Sequence, residues 1–349
     1  MTDRAVEAAL ERLAYPKINP SYVPVAIDEN TVHVRAGAWD GPVKTIRDPE
    51  QGERLGPLFE LLDGETHVGD LLDAFDPGSR PDVAELLVRL AEDGILYDAD
   101  AARPGPPHLS IKPDFAGAEP DLPAGESVVV VTVGDLGWQV AEDLLAAGLD
   151  GLTVASTATG SRAVPDSVAR RDLDEIDLSS TVREASFVVA CSDRPHRDLF
   201  RRVNRAGIEG DTPWLAGQVL GCNGVVGPAV FPGETACYDC FERRMLSNVP
   251  DPAACRRYLA AGRETGGTPD RSVVRTVAGY LGMDALHLLA FGSGYTAGRI
   301  LTVDARTLSF AANDVLRVPR CTACSDHRRA VETQFLTLED LAGIGTEDR

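Results

Sequence analysis

The chain has 349 residues, 44% hydrophobic and 25% charged, a globular mix that excludes disorder and fibrous repeats and suits about two domains. Its 34 Lys and Arg face 54 Asp and Glu, a net charge of −20, which repels nucleic-acid backbones and anionic lipid. Apolar runs such as residues 128–133 fall far short of the roughly 20 residues a membrane span needs, and the start "MTDRAVEAALERLAYP" has no signal pattern. The expected location is the cytoplasm, with no nucleic-acid or membrane partner.

Residues 23–29 and 31–37 alternate apolar and polar around Asn30, which predicts a hairpin, and residues 43–47 predict a third strand. Three groups then repeat the i, i+3, i+4, i+7 spacing of amphipathic helices: Leu55, Leu58, Phe59, Leu62; Val68, Leu71, Leu72, Phe75; and Val83, Leu86, Leu87, Leu90. Ser79 stands three residues before Asp82 as a capping box, with Pro81 in the first turn, and the helix ends at Gly94 before "ILYDA". Strands, three helices and a strand make a small α+β winged-helix layout over residues 1–100. Such layouts most often bind DNA, but these residues carry nine Lys and Arg against 21 Asp and Glu, a net of −12, and lack the basic face that DNA needs.

Residues 101–126, "AARPGPPHLSIKPDFAGAEPDLPAGE", have the composition of a Pro/Gly-rich linker, which leaves 127–349 as a second domain. It opens with a continuous apolar strand, a Gly-containing turn, a helix closing at Gly148 and a second strand: a βαβ start. A buried strand at 185–193, a helix from 194, a long helix over 272–291 and a hairpin over 299–316 follow. A Rossmann-like α/β fold on a parallel sheet is expected.

Seven cysteines, an odd number without a secretion signal, argue against a disulfide framework. Cys237 and Cys240 form one CxxC and Cys321 and Cys324 a second. A redox dithiol competes for a single CxxC, but two pairs favour a closed structural zinc site. Cys191, Cys222 and Cys255 have no His or Asn spacing that marks a nucleophile.

The order of strand, Gly turn, helix, "VACSD", "PWLAGQVLGCNGVVGPAVFPGETACYDC" and a distant second CxxC resembles the ThiF-like, ubiquitin-activating-type adenylyltransferases over about residues 126–326. In that family a Gly-x-Gly-Gly-x-Gly turn cradles ATP phosphates on backbone N–H groups. Here "VTVGDLG" puts Thr132 and Asp135 at two of the glycines and keeps Gly134 and Gly137. Ser156 stands where the family has its ribose-binding acid, and no lysine follows Lys112, leaving Arg162, Arg170 and Arg171 as loose substitutes. Asp193 matches the family's Mg²⁺ aspartate, though a carboxylate at a strand end is also a common cap. The resemblance implies a vestigial nucleotide site of Gly134, Gly137 and Asp193, no catalytic residue, and no ATP.

A winged helix before such a domain is similar to the leader-recognition element of peptide-modifying systems, and the whole chain resembles the ocin-ThiF-like F proteins. Those proteins bind the leader of a ribosomal precursor peptide and deliver it to a YcaO cyclodehydratase for azoline formation in thiazole/oxazole-modified peptide and bacteriocin pathways. The resemblance implies that the leader adds a strand to Val43, Lys44, Thr45, Ile46 and Arg47 and packs near Val83 and Leu87 of the third helix, with Lys44, Arg47, Arg80 and Arg89 offered to acidic leader residues. The same cations serve equally as solvated charges, and Val83 and Leu87 equally as core. A homodimer is the default by analogy. The alternatives are an active adenylyltransferase acting on a peptide or carrier-protein carboxylate, and a scaffold without peptide selectivity.

Overall fold

A computed structural model describes residues 3–39, 43–100, 122, 127–157, 168–260 and 270–327. Most of the expected linker, Arg162 and the chain end lie outside them. The chain forms two compact units, one of Met1–Ala124 with Asp143–Leu149 and Met283–Gly294, the other of Gly125–Glu142, Asp150–Gly282 and Tyr295–Arg349.

The N-terminal elements run α1 (Asp3–Leu10), β1 (Pro16–Ile18), β2 (Val23–Asp28), β3 (Thr31–Arg35), β4 (Val43–Arg47), α2 (Leu55–Glu60), α3 (Val68–Asp73), α4 (Arg80–Glu92) and β5 (Leu96–Asp98). Strands β2, β3 and β4 form an antiparallel sheet in that order, and β1 pairs antiparallel with β5. Alternation along β3 sends Val32 and Val34 inward, where with Ile46 they meet Leu55, Leu58, Leu71, Val83, Leu87 and Leu90 from the three helices. Each fully buried Leu or Ile there contributes roughly 2 kcal/mol. Val83 and Leu87, expected to be either core or groove, are 5% and 0% exposed and belong to this core.

The expected capping box at α4 does not form. Ser79 already has helical dihedrals, φ −91 and ψ −18, and makes no side-chain cap bond, because the box needs an extended residue whose oxygen reaches back over the first turn. Its hydroxyl instead accepts from Arg54 Nη1 at 2.9 Å. Arg54 in turn grips Asp48, the residue just after β4: its Nε lies 2.9 Å from Oδ2, and its Nη2 binds Oδ1. Asp48 also accepts from the backbone N–H groups of Glu50 and Gly52, each at 3.1 Å. One buried carboxylate therefore ties the end of β4 through Arg54 to the start of α4, while Lys44 pairs with Asp93 just past the end of α4.

The second fold contains β6 (Val128–Val133), α5 (Leu136–Ala146), β7 (Leu152–Ser156), β8 (Ala169–Asp172), α6 (Leu178–Arg183), β9 (Phe187–Ser192), α7 (Arg197–Gly210), β10 (Trp214–Leu220), β11 (Asn223–Val230), α8 (Tyr238–Ser247), α9 (Pro252–Ala260), α10 (Arg271–Phe291), β12 (Arg299–Asp304) and β13 (Ser309–Asp314). Eight strands form one sheet in the order β13-β12-β11-β10-β9-β6-β7-β8. The strands from β8 to β10 are parallel, and β11, β12 and β13 extend the sheet antiparallel. The sheet is thus mixed, not purely parallel, because β10 returns through a tight turn at Gly221 (φ +68) that leaves no length for a crossover. Strand β8, "ARRD", has Ala169 as its one apolar residue and is exposed throughout, so it has neither pattern by which a strand is read from sequence. Gly217 and Gly224 let α10 lie directly on β10 and β11: a Cβ at either would sit 2.2 Å from Leu281 or 2.1 Å from Val277.

Hydrogen bonds, chiefly the one from Arg54, hold the Asp48 carboxyl down at about 2. A depressed folded-state value means that Asp48 stabilises the fold above the ordinary carboxylate range and loses that contribution as pH falls toward about 2. Asp48→Asn should therefore lower stability by about 2 kcal/mol at pH 7. The loss should shrink toward zero near pH 2, which denaturant titrations at several pH values will check.

Candidate functional site

Strand β6 lies between β7 and β9, so the chain reverses its direction across the sheet there, and the C-terminal ends of β6 and β9 form the crevice where open α/β sheets take ligands. Gly134 turns out of β6 at φ +87, and α5 starts two residues later with N–H groups of the kind that hold phosphate. Two of the donors at this turn are already used. Asp135 N–H donates to Asp193 Oδ2 at 2.8 Å, and Gly137 N–H donates to the Thr132 hydroxyl at 3.1 Å. The Asp193 side chain presses so close that a Cβ on Gly134 would lie 2.0 Å from its Oδ2. Arg194 Nε holds the other oxygen at 3.1 Å, and Asp193 is 5% exposed.

The three predicted residues Gly134, Gly137 and Asp193 thus meet at one turn, together with Thr132 and Arg194, which the motif alignment did not assign a role. A hydroxyl five residues before Gly137 was the signal for Thr132. Arg170 lies over the Trp138 ring at 5.3 Å to the centroid. Cys191 is wholly buried and burial pushes its thiol up, so it is poorly suited to nucleophilic chemistry.

On the N-terminal sheet β4 pairs with β3 through Val43↔Arg35 to Arg47↔Thr31. Its other edge is unpaired among the described residues. Ile46 is buried, whereas Lys44, Thr45 and Arg47 are exposed. Of the four predicted cations, Lys44 pairs with Asp93, Arg80 with Asp73 at 2.8 Å and Arg89 with Glu85 at 2.6 Å. Arg47 has no ion pair among the described residues.

The four cysteines form the most sharply defined cluster. Cys237, Cys240, Cys321 and Cys324 are all buried, with ligand atoms within 4.8 Å of one another. The Sγ atoms of Cys237 and Cys240 are 3.7 Å apart, those of Cys237 and Cys321 3.8 Å, and those of Cys240 and Cys324 3.7 Å. A disulfide needs about 2.05 Å, whereas four sulfurs about 2.3 Å from a central ion stand about 3.8 Å apart along a tetrahedron's edges. The residues present fit a tetrahedral thiolate-bound ion.

Cys237 is the extended N-cap of α8 and Cys240 lies in its first turn, where the helix N-terminus favours negative sulfur. The Cys324 thiol is held below its ordinary value, first by the hydrogen bond from Cys237 and then by that from Cys240. Val318 N–H donates to Cys240 Sγ at 3.3 Å. Arginines close the second knuckle: Arg243 reaches the Thr322 hydroxyl at 2.7 Å, Arg244 the carbonyl of Arg317 at 3.1 Å, and Arg317 the carbonyl of Cys324 at 3.0 Å.

Cys321→Ser should strip the ion from purified protein and lower the unfolding temperature by at least about 5 °C. Metal analysis and a thermal melt check both, and an unchanged melt would count against the cluster as a fastener.

Residues 161–325 match the family model described as ThiF family. No curated protein matches in sequence. Among solved structures, a heterocyclase in complex with substrate and cofactor matches at TM-score 0.61 and 18% identity over 89% of this chain and 39% of that one. The heterocyclase TruD matches at 0.60 and 20%, over 90% and 43%. MccB of E. coli with the peptide MccA-N7isoASN matches at 0.58 and 13%, over 88% and 99%. This chain spans about two fifths of the two heterocyclases' length. At these identities the likeness is one of fold.

Proposed function

We propose that this chain, whose residues 161–325 match the ThiF family model, is a peptide-handling member of that group. It binds the leader of a ribosomal precursor peptide and presents the precursor to a YcaO cyclodehydratase for azoline formation, without adenylating anything itself. The observation that carries the reading is the Gly134 turn, where Asp193 and Thr132 use the N–H groups that a triphosphate would need. The open edge of β4 supports the binding half. A leader strand added there gains main-chain hydrogen bonds, and its side chains meet the rim between β4 and α4. The N-terminal unit serves as the winged-helix recognition element, and Val83 and Leu87 support its groove from beneath.

In this reading the four-cysteine cluster holds zinc, whose role is to fasten residues 315–327 to α8. Zinc suits a closed set of four thiolates, which leaves no coordination position for substrate. The chain's own residues do the rest: α8 supplies Cys237 and Cys240, and Arg243 and Arg244 fix the segment that brings Cys321 and Cys324. The fold likeness to a heterocyclase holding substrate and to MccB holding a peptide supports a peptide-side role.

Isothermal titration of the intact chain should show tight binding of the leader encoded beside its gene and none of ATP·Mg²⁺. Nucleotide binding in the micromolar range would overturn the non-adenylating reading. Arg47→Glu should weaken leader binding about tenfold, or 1.4 kcal/mol. Arg89→Ala, whose guanidinium is already paired with Glu85, should leave it within about twofold. Equal effects of the two would remove Arg47 from the recognition surface.

A further inference from the structure

Residues 194–260 hold nine arginines against seven acidic residues in a chain whose net charge is −20. Two of those acids are buried and already neutralised. Glu242 accepts from Arg197, with Nη2 to Oε2 at 2.9 Å, and Asp239 accepts from Arg201 Nη2 at 2.6 Å and from Asn204 at 3.0 Å. The cations left over are not spread evenly. A cleft of about 430 Å³ between α7, α8 and α9 is lined by Arg197, Arg201, Arg243 and Arg256, with Glu242 as its one carboxylate and Leu246 as apolar floor. The neighbouring cleft of about 680 Å³ shares Arg201 and adds Arg202 and Arg205, but four carboxylates balance its cations.

We infer that the 430 Å³ cleft is a docking site for an acidic peptide segment of a partner protein, separate from the β4 edge. Arg197 and Arg201 are held rigid by their buried carboxylates, so they present fixed N–H groups without losing side-chain freedom on binding. Arg243 is exposed and its one described bond is to the neutral Thr322 hydroxyl, and Arg256 is exposed with no ion pair among the described residues. These two carry uncompensated charge into the cleft. Guanidinium forks suit carboxylates, which they bind with paired hydrogen bonds. The size of the opening suits a few residues of extended chain. Beyond about 8 Å the acidic remainder of the molecule is screened at physiological salt, so the local excess decides what binds.

The test is fluorescence anisotropy of fluorescein-labelled octaglutamate against the full chain, with octaglutamine as the neutral control. The acidic peptide should bind and the neutral one should not. The double change Arg243→Ala with Arg256→Ala should weaken binding at least about tenfold, while Arg202→Ala with Arg205→Ala in the balanced cleft should leave it within about twofold. Because Arg243 also holds Thr322, Arg256→Ala alone, which breaks no described bond, should itself weaken binding several-fold at an unchanged melting temperature, and no loss from it would overturn the inference. Equal losses from the two pairs would mean diffuse attraction and overturn the inference, as would no binding at all. Displacement by inorganic phosphate well below the concentration at which sodium chloride displaces the peptide would make this a small-anion site instead. Loss of octaglutamate binding in Arg47→Glu would move the contact to the β4 edge and overturn the inference, while leaving the leader reading standing.

Discussion

Four buried sulfurs within 4.8 Å join two stretches of chain 84 residues apart, and the architecture around α8 follows from that join. Sulfurs so close repel one another as thiolates, so the cluster needs a cation or a shared set of protons. The first turn of α8 must be held in place before it can present Cys237 and Cys240 together. Asn204 does this from α7, accepting from Tyr238 N–H at 2.9 Å and donating to Asp239. Arg197 and Arg201 neutralise Glu242 and Asp239, which are 2% and 5% exposed. Removing either arginine would leave a buried carboxylate unpaired, at a cost of about 3–5 kcal/mol. The same buried pairs fix the wall of the arginine cleft, so that surface depends on the fastening of the cysteine knuckles.

The turn after β6 follows a different logic. A helix start has few free N–H donors, and each serves one strong acceptor. Asp193 and Thr132 belong to the chain and are always present, whereas a nucleotide must displace them and also approach the exposed Asp135 carboxylate. Two negative groups at the mouth and two occupied donors act in the same direction. At a position that in such folds commonly receives phosphate, these contacts tie β6, β9 and α5 together. Asp193 is compatible with either use when considered alone; its 2.8 Å bond to Asp135 N–H is the contact on which the proposed non-adenylating role rests.

Much of this was legible in the sequence because it rests on local rules. Alternation marked β2, β3 and β4, helical spacing marked α2, α3 and α4, and the near-continuous apolar runs at 128–133 and 187–192 marked strands buried on both faces. The paired CxxC spacing pointed to the four-cysteine cluster because thiolate coordination commonly takes its sulfurs from such pairs. What stayed hidden depends on partners distant in sequence. Ser79 matched a capping pattern, but its hydroxyl is used by Arg54, 25 residues away. Strand β8 is an exposed edge without an apolar face. Nothing in "RDLFRRVNR" distinguishes the arginines that neutralise buried carboxylates from those left uncompensated, since the distinction is made by α8.

That distinction bears on how a chain with net charge −20 would select the acidic peptides proposed above. Long-range attraction is absent and weakly reversed, so encounter is not accelerated and non-specific anions gain little. Binding must come from short-range contacts within a Debye length, at places where guanidinium charge is not already neutralised. On β4 such a place is Arg47, next to an edge whose backbone groups are open; Lys44, three residues earlier in the strand, is tied to Asp93. In the sheet domain it is the cleft where Arg243 and Arg256 add to two anchored arginines. In the proposed scheme an acidic chain with two small basic openings would reject indiscriminate anion binding while admitting a peptide whose carboxylates are spaced to reach them, so the overall charge would contribute to specificity by opposing contacts made elsewhere.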